Sequence, residues 1–290
     1  MVRTLTVALL LTGCGGSVRH VAHVPPAAAP VDLDAPGTIT HEAVVSARWT
    51  VPTAGLIDLS DPAAAELAND PHPIVLPVHV LTHPTAGTFI VDTGFPANEL
   101  PARGLVRSFL SDIEPVEPLA DILARVDGEL AGVLLTHNHA DHVLGLVDVP
   151  DGVPVYAGAG EERPVGFSGR VMFPTFARAL GDRPLSLFAF DGPQVVDLDG
   201  VRAIDLLGDG SLYALEAAGH TPGSTAYLAR TADGPVLFTG DCSHTRWGWD
   251  HGVTPGTYTH DHGANAESLA KLMALSEAHG MQVEVGHEMR

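Results

Sequence analysis

Apolar and polar positions follow two different periods along this chain. Ile74 to Leu81 and Thr88 to Val91 are short apolar runs of strand length, and the turn-like Pro84 to Gly87 between them predicts a hairpin ending at Asp92-Thr93-Gly94. Then the period lengthens. Leu119, Ile122, Leu123 and Val126 recur at helical spacing and Gly128 stops the pattern, which predicts an amphipathic helix ahead of a strand at Gly132 to Leu135. Strands are predicted again at Val153 to Tyr156, Leu185 to Phe190, Val195 to Leu198, Val201 to Leu206, Leu212 to Glu216, Ala226 to Ala229 and Val236 to Thr239. Leu269, Leu272, Met273 and Leu275 mark a late helix closed by Gly280, with a short strand at Gln282 to Val285 behind it. No repeat of fixed period is present. Strands and helices alternate irregularly in both halves, so the pattern predicts two sheets covered by helices, α/β or α+β in type, in one domain that opens near Thr40.

The segment ahead of that domain reads differently. Ser17 to Gly37 is rich in Pro and Ala without periodicity and is expected to be an extended tether, with His20 and His23 solvated in it. Arg3 precedes an apolar run from Leu5 to Leu11, the layout of a secretory signal, and that run is far shorter than the roughly 20 apolar residues that cross a bilayer. Leu11-Thr12-Gly13-Cys14 resembles the lipobox of bacterial lipoproteins. The resemblance implies cleavage before Cys14, lipidation of Cys14 and an exported protein anchored to a bacterial membrane by its acyl chains. The expected division is a signal peptide over residues 1–13, a lipidated tether over 14–40 and a folded domain over 41–290. Cys242 is then the one remaining cysteine, so no intramolecular disulfide is expected.

Composition narrows the function. With 290 residues, 45% of them hydrophobic and 17% charged, the chain can bury a large core. Its 35 acidic against 15 basic residues give a formal charge of -20, a field that repels phosphates and disfavours a nucleic-acid partner. Sixteen histidines direct attention to metal chemistry, and their positions sharpen it.

Thr136-His137-Asn138-His139-Ala140-Asp141-His142 follows an apolar run directly. Side chains two apart on an extended segment point the same way, so His137, His139 and Asp141 can converge while His142 turns in as a helix starts. Imidazole nitrogens and carboxylate oxygens suit zinc, and the donor count can serve two metals. More donors sit just past strands: His220 in Gly219-His220-Thr221-Pro222-Gly223-Ser224, Asp241 in Phe238-Thr239-Gly240-Asp241, and His287 in Val283-Glu284-Val285-Gly286-His287. Residues at strand ends from distant segments can meet at one rim of the sheets.

THNHADH, AGHTPGS, TGD and GHE, with VDTG upstream, resemble the motif series of the metallo-β-lactamase fold hydrolases, over His72 to Glu288. The resemblance implies an α+β fold, the four-layer αβ/βα sandwich, with two divalent metal ions, Zn²⁺ above all, at one edge. It implies that His137, His139 and His220 hold the first ion, that Asp141, His142 and His287 hold the second, that Asp241 bridges them, and that Asp92 supports them from behind. Leu76 to Pro96 and the spacing of the later ligands look most like the N-acyl-homoserine lactonase subgroup. One departure stands out: those lactonases carry a tyrosine three residues after the bridging aspartate, and this chain has His244.

The resemblance implies a hydrolase that opens a lactone or similar small acyl ester by attack of a metal-bridging hydroxide, with Asp241 positioning the nucleophile and His244 acting on the leaving group. Rivals on the same fold are a glyoxalase II-like thioesterase, disfavoured because only three residues follow His287, and a β-lactamase, disfavoured by Asp241. A non-catalytic zinc-binding lipoprotein is a rival of another class, against which the mixed ligand set with a carboxylate bridge counts. Trp247 and Trp249 are candidates for a substrate pocket, Cys242 for a small buried residue. Gly158-Ala159-Gly160 fails as a dinucleotide loop because Glu161 and Glu162 follow it and no glycine stands at the required place.

Overall fold

The structure, a computed structural model, describes residues 17–29, 32–126 and 128–289. The signal segment and Cys14 lie outside the described residues. Strands group into an eight-stranded and a six-stranded sheet among the described residues. In the first, His20–Ala22, Leu185–Phe188, Val155–Gly158, Leu130–Leu134 and Gly87–Val91 run parallel in that order. Pro71–His83, Thr40–Pro52 and Glu114–Pro115 continue it antiparallel. The second runs Gln282–Glu284, Gly234–Phe238, Thr225–Thr231, Leu212–Glu216, Val201–Asp205, Val195–Leu198, with only its first pair parallel.

The two-residue period of the strands sorts side chains into layers. In Gly87–Val91, Phe89 and Val91 face the second sheet, where they meet Tyr227, Ala229, Val236 and Phe238, while Ile90 points the other way. That other face of the first sheet is covered by Leu119 and Ile122 of the helix Leu119–Arg125 and by Phe173, Phe176 and Leu180 of the helix Gly166–Leu180. Ala226, Leu228 and Leu237 of the second sheet face outward onto Leu269, Leu272 and Leu275 of the helix His262–Ala278. Helix, sheet, sheet and helix therefore stack as the four-layer α+β sandwich that the motifs imply, with apolar packing at each of its three seams.

Two expectations change. The N-terminal segment is not wholly a free tether: His20–Ala22 adds a parallel strand beside Leu185–Phe188, and the His23 ring packs edge-on against Tyr156 at 5.1 Å. Pairing there satisfies the backbone of an otherwise open sheet edge, a reason that composition does not display. The helix Gly166–Leu180 was not anticipated, because Pro174 lies inside it and Gly166 and Gly169 interrupt its start.

Candidate metal centre

Every ligand candidate lies just beyond the C-terminal end of a strand, on one rim shared by both sheets. Leu130–Leu134 leads to His137, His139, Asp141 and His142, the last on the short helix Ala140–Val143. Leu212–Glu216 leads to His220, Gly234–Phe238 to Asp241 and Gln282–Glu284 to His287. Asp92 follows Gly87–Val91.

At the centre is the Asp241 carboxylate, with its two oxygens turned to different sets of nitrogens. Oδ2 lies 3.5 Å from His137 Nε2 and 3.3 Å from His220 Nε2, and His220 Nε2 is 2.9 Å from His139 Nδ1. Oδ1 lies 3.3 Å from His142 Nε2 and 3.4 Å from His287 Nε2, both of which approach Asp141 Oδ2, at 3.7 and 3.4 Å. One ligand atom from each of His137, His139, His220 and Asp241 falls within 4.8 Å of the others, and the same holds for Asp141, His142 and His287. Gly286 makes room for this: a Cβ there would stand 2.4 Å from Asp241 Oδ1.

Behind the donors stand their supports. Asp92, held at a positive φ of 57°, accepts from His142 Nδ1 at 2.7 Å and from the Thr136 amide and hydroxyl at 2.8 Å each. The Val75 carbonyl accepts from His287 Nδ1 at 3.1 Å, and Thr136 Oγ1 is 3.0 Å from His137 Nδ1. These contacts fix which ring nitrogen faces the rim.

The donors fit divalent cations. His137 Nε2, His142 Nε2 and Asp241 Oδ1 are buried with no hydrogen-bond partner, a condition that costs about 1–3 kcal/mol per group and that a bound cation removes. Burial, helped by neighbouring histidines, lowers the pKa of His137, and burial lowers those of His139 and His220 against the pull of nearby aspartates, leaving neutral imidazoles ready to ligate. Burial alone would raise the Asp241 carboxyl, but the imidazoles that surround it, His244, His142, His287 and His137, hold it well below the usual carboxylate range. Burial also opposes charge on His142 and His287, yet Asp241, with Asp92 and Asp141 for His142 and Asp141 for His287, raises both.

His244 is buried at 2% exposure with Nε2 2.9 Å from Asp241 Oδ2, nearer than any of the other imidazoles. It belongs to a further donor group, with Asp241 and His287. Cys242 is buried and its thiol is pushed up to about 12 by burial and the adjacent Asp241, so it stays a protonated packing residue.

Beside the cluster lies a cavity of about 140 Å³ lined by Trp49, Ile74, Phe109, Leu110, Met172 and Tyr258, with His139, Asp141, Asp241, His244 and His287 at its inner end. Trp247 and Trp249 do not line it. Both sit on the helix Arg246–His251, from which Trp249 turns into the core under the second sheet while Trp247 stacks on His251 at 4.2 Å. The tryptophan that borders the cavity is Trp49, on the long strand Thr40–Pro52. Sequence reasoning also passed over Glu161. It is 1% exposed and reaches both ligand loops, and its only signal was a glutamate pair straight after a strand-like run.

The family model described as the metallo-beta-lactamase superfamily matches residues 77–278. An N-acyl homoserine lactonase, AttM of Azorhizobium caulinodans, is 30% identical over 162 residues, 54% of this chain and 57% of the relative. The chain thus spans little more than half the length of that curated relative. A solved quorum-quenching N-acyl homoserine lactone lactonase superposes with a TM-score of 0.63 at 17% identity, covering 88% of this chain and 94% of its own. AidC, a dizinc quorum-quenching lactonase solved with its product N-hexanoyl-L-homoserine, superposes with a TM-score of 0.60 at 14% identity, covering 87% and 88%.

Proposed function

The chain belongs to the metallo-beta-lactamase superfamily, and on that footing we propose that it is a dinuclear zinc hydrolase that opens lactones or related esters bearing an apolar acyl group. The observation that carries the proposal is the Asp241 carboxylate, whose Oδ2 faces the His137 and His220 nitrogens and whose Oδ1 faces those of His142 and His287. His137, His139 and His220 would hold one zinc ion and Asp141, His142 and His287 the other, with Asp241 between them. When bound, such ions bring the pKa of water to about 7 and offset negative charge on a carbonyl oxygen.

The protein's own groups supply the rest. The apolar walls at Trp49, Ile74, Phe109 and Met172 take an acyl chain and exclude water, which sets the ester carbonyl against the inner end of the cavity. Asp241 orients the attacking water and accepts its proton. His244, within hydrogen-bond reach of Asp241 Oδ2, passes a proton to the alkoxide released when the ring opens. Similarity to AttM over half the chain favours a lactone over a thioester.

Turnover of N-acyl-homoserine lactones, simple γ- and δ-lactones, a thioester and a β-lactam by the zinc-loaded protein tests the reading. Lactones are expected to be preferred, and Asp241→Ala is expected to lose at least about 100-fold in kcat/KM, as removal of a group acting on the proton and nucleophile does. An Asp241→Ala protein with full activity and both ions in place would falsify the bridging role.

A separate proposal concerns location. Leu11 to Cys14 supports lipidation at Cys14 and anchoring outside the cytoplasm, and mass spectrometry that finds Cys14 unmodified in the membrane fraction would remove it. No described helix is long and apolar enough to cross a membrane.

A further inference from the structure

The loop that carries His220 is pressed against the end of the strand Val155–Gly158, next to the loop of His137 and His139, at a point that none of the ligand candidates occupies. A Cβ on Gly158 would fall 2.2 Å from the Gly223 carbonyl oxygen, and one on Gly223 would fall 2.7 Å from that of Gly158. Only glycines allow this approach. In the gap sits the Glu161 side chain, whose Oε2 accepts from the Asn138 amide at 2.8 Å, between His137 and His139. Its Oε1 accepts from the Gly223 amide at 2.9 Å and from the Thr221 hydroxyl at 2.5 Å, directly after His220. The Glu161 carbonyl accepts from Asn138 Nδ2 at 2.9 Å as well. Every partner of the buried carboxylate is a donor, so an amide in its place would set an NH₂ group against at least one N–H or O–H.

The other donor set is held by different groups. Asp92 orients His142 directly and reaches His137 through Thr136, and the Val75 carbonyl orients His287, whereas the Glu161 carboxylate bonds, among the described residues, only Asn138, Thr221 and Gly223 beside His139 and His220. We propose that Glu161 is a positioning residue that holds His139 and His220 in register, so that the three-histidine metal position has a support of its own and can be weakened without the other. This rests on the reading that two ions bind here.

The test is metal content and affinity, by elemental analysis and competition with a chelator, together with the absorption spectrum of the cobalt-substituted protein. Wild type is expected to hold two equivalents. Glu161→Gln is expected to keep one at wild-type affinity and to weaken the other at least ten-fold. Asp92→Asn, at the residue that bonds His142 directly, is expected to weaken the ion at His142 more than the one at His139 and His220, so that the cobalt spectra of the two variants differ. Two equivalents at wild-type affinity with an unchanged spectrum in Glu161→Gln would overturn the assignment. Should that variant fail to fold, Thr221→Val removes one of the three donors and keeps the carboxylate; it is expected to weaken the same ion by a smaller factor, and no change there overturns the assignment equally. Wild type binding fewer than two ions would sink both this inference and the dinuclear reading, whereas two bound ions without lactone turnover would sink only the proposed substrate.

Discussion

Single residues at the rim carry constraints that their chemistry alone does not announce. Gly286 has no functional group, yet the 2.4 Å between its would-be Cβ and Asp241 Oδ1 makes it as restrictive as a ligand. Gly286→Ala should displace either the carboxylate or the chain bearing His287. The expected outcome is a loss of roughly 10- to 100-fold in kcat/KM, as for an angstrom-scale misplacement of reacting groups, together with lower metal content by elemental analysis. Wild-type metal content and turnover in that variant would show that the rim can give way. The candidate donors themselves were legible, since His137, His139, Asp141, His142, His220, Asp241 and His287 all stand at strand ends and all arrive at the same rim. What could not be read was the contact of His244 with Asp241, which depends on the turn Gly240–Cys242, and the part played by Glu161, whose partners lie 23 and 62 residues away.

Elements were legible where their period was unbroken. The hairpin and the helix from Leu119 appear where the pattern sets them, at Pro71–His83, Gly87–Val91 and Leu119–Arg125. The helix Gly166–Leu180 shows why others were not: Phe173, Phe176 and Leu180 are correctly spaced for one buried face, but Pro174 lies among them. The tryptophans misled for a related reason, because the helix Arg246–His251 turns Trp249 inward, and no sequence period over six residues reveals its facing. Beside the cavity, the helix Gly104–Leu110 leaves Leu105 90% and Phe109 47% exposed and has Leu110 as its single buried residue. An element held by Leu110, the partly buried Val106 and an edge-on contact of Phe109 with Trp49 should loosen readily. Leu110→Ala is expected to cost about 2–5 kcal/mol, the range for emptying a buried leucine site, and to raise KM for long-chain acyl substrates more than for short ones. Urea unfolding and a chain-length series check the two effects, and an equal change in KM at every length would detach this helix from the acyl chain.

At the scale of the whole molecule, a buried neutral histidine ties stability to pH. His79 is wholly buried beside His41, and burial, with His41 next to it, lowers its pKa from 6.5 to about 3. The unfolded chain therefore binds a proton that the folded one refuses. The stabilising contribution of neutral His79 is complete above pH 6.5 and declines as the pH falls toward about 3. Replacing His79 by Gln should flatten the pH dependence of urea-unfolding stability between pH 7 and 4. The change amounts to a few kcal/mol at most, since each tenfold difference in proton affinity corresponds to about 1.4 kcal/mol; an unaltered slope would move the acid sensitivity elsewhere. The placement of the rim has a consequence of another kind. His137 to His142 extend from one sheet and His220, Asp241 and His287 from the other. Ions shared among them would close the chain into a large ring across both layers, and losing them would open it. Such a cross-link removes conformations from the unfolded chain in the same manner as a disulfide spanning a long loop. A protein whose single described cysteine is buried and unpaired would thus obtain from such ions the tie that this thiol does not provide.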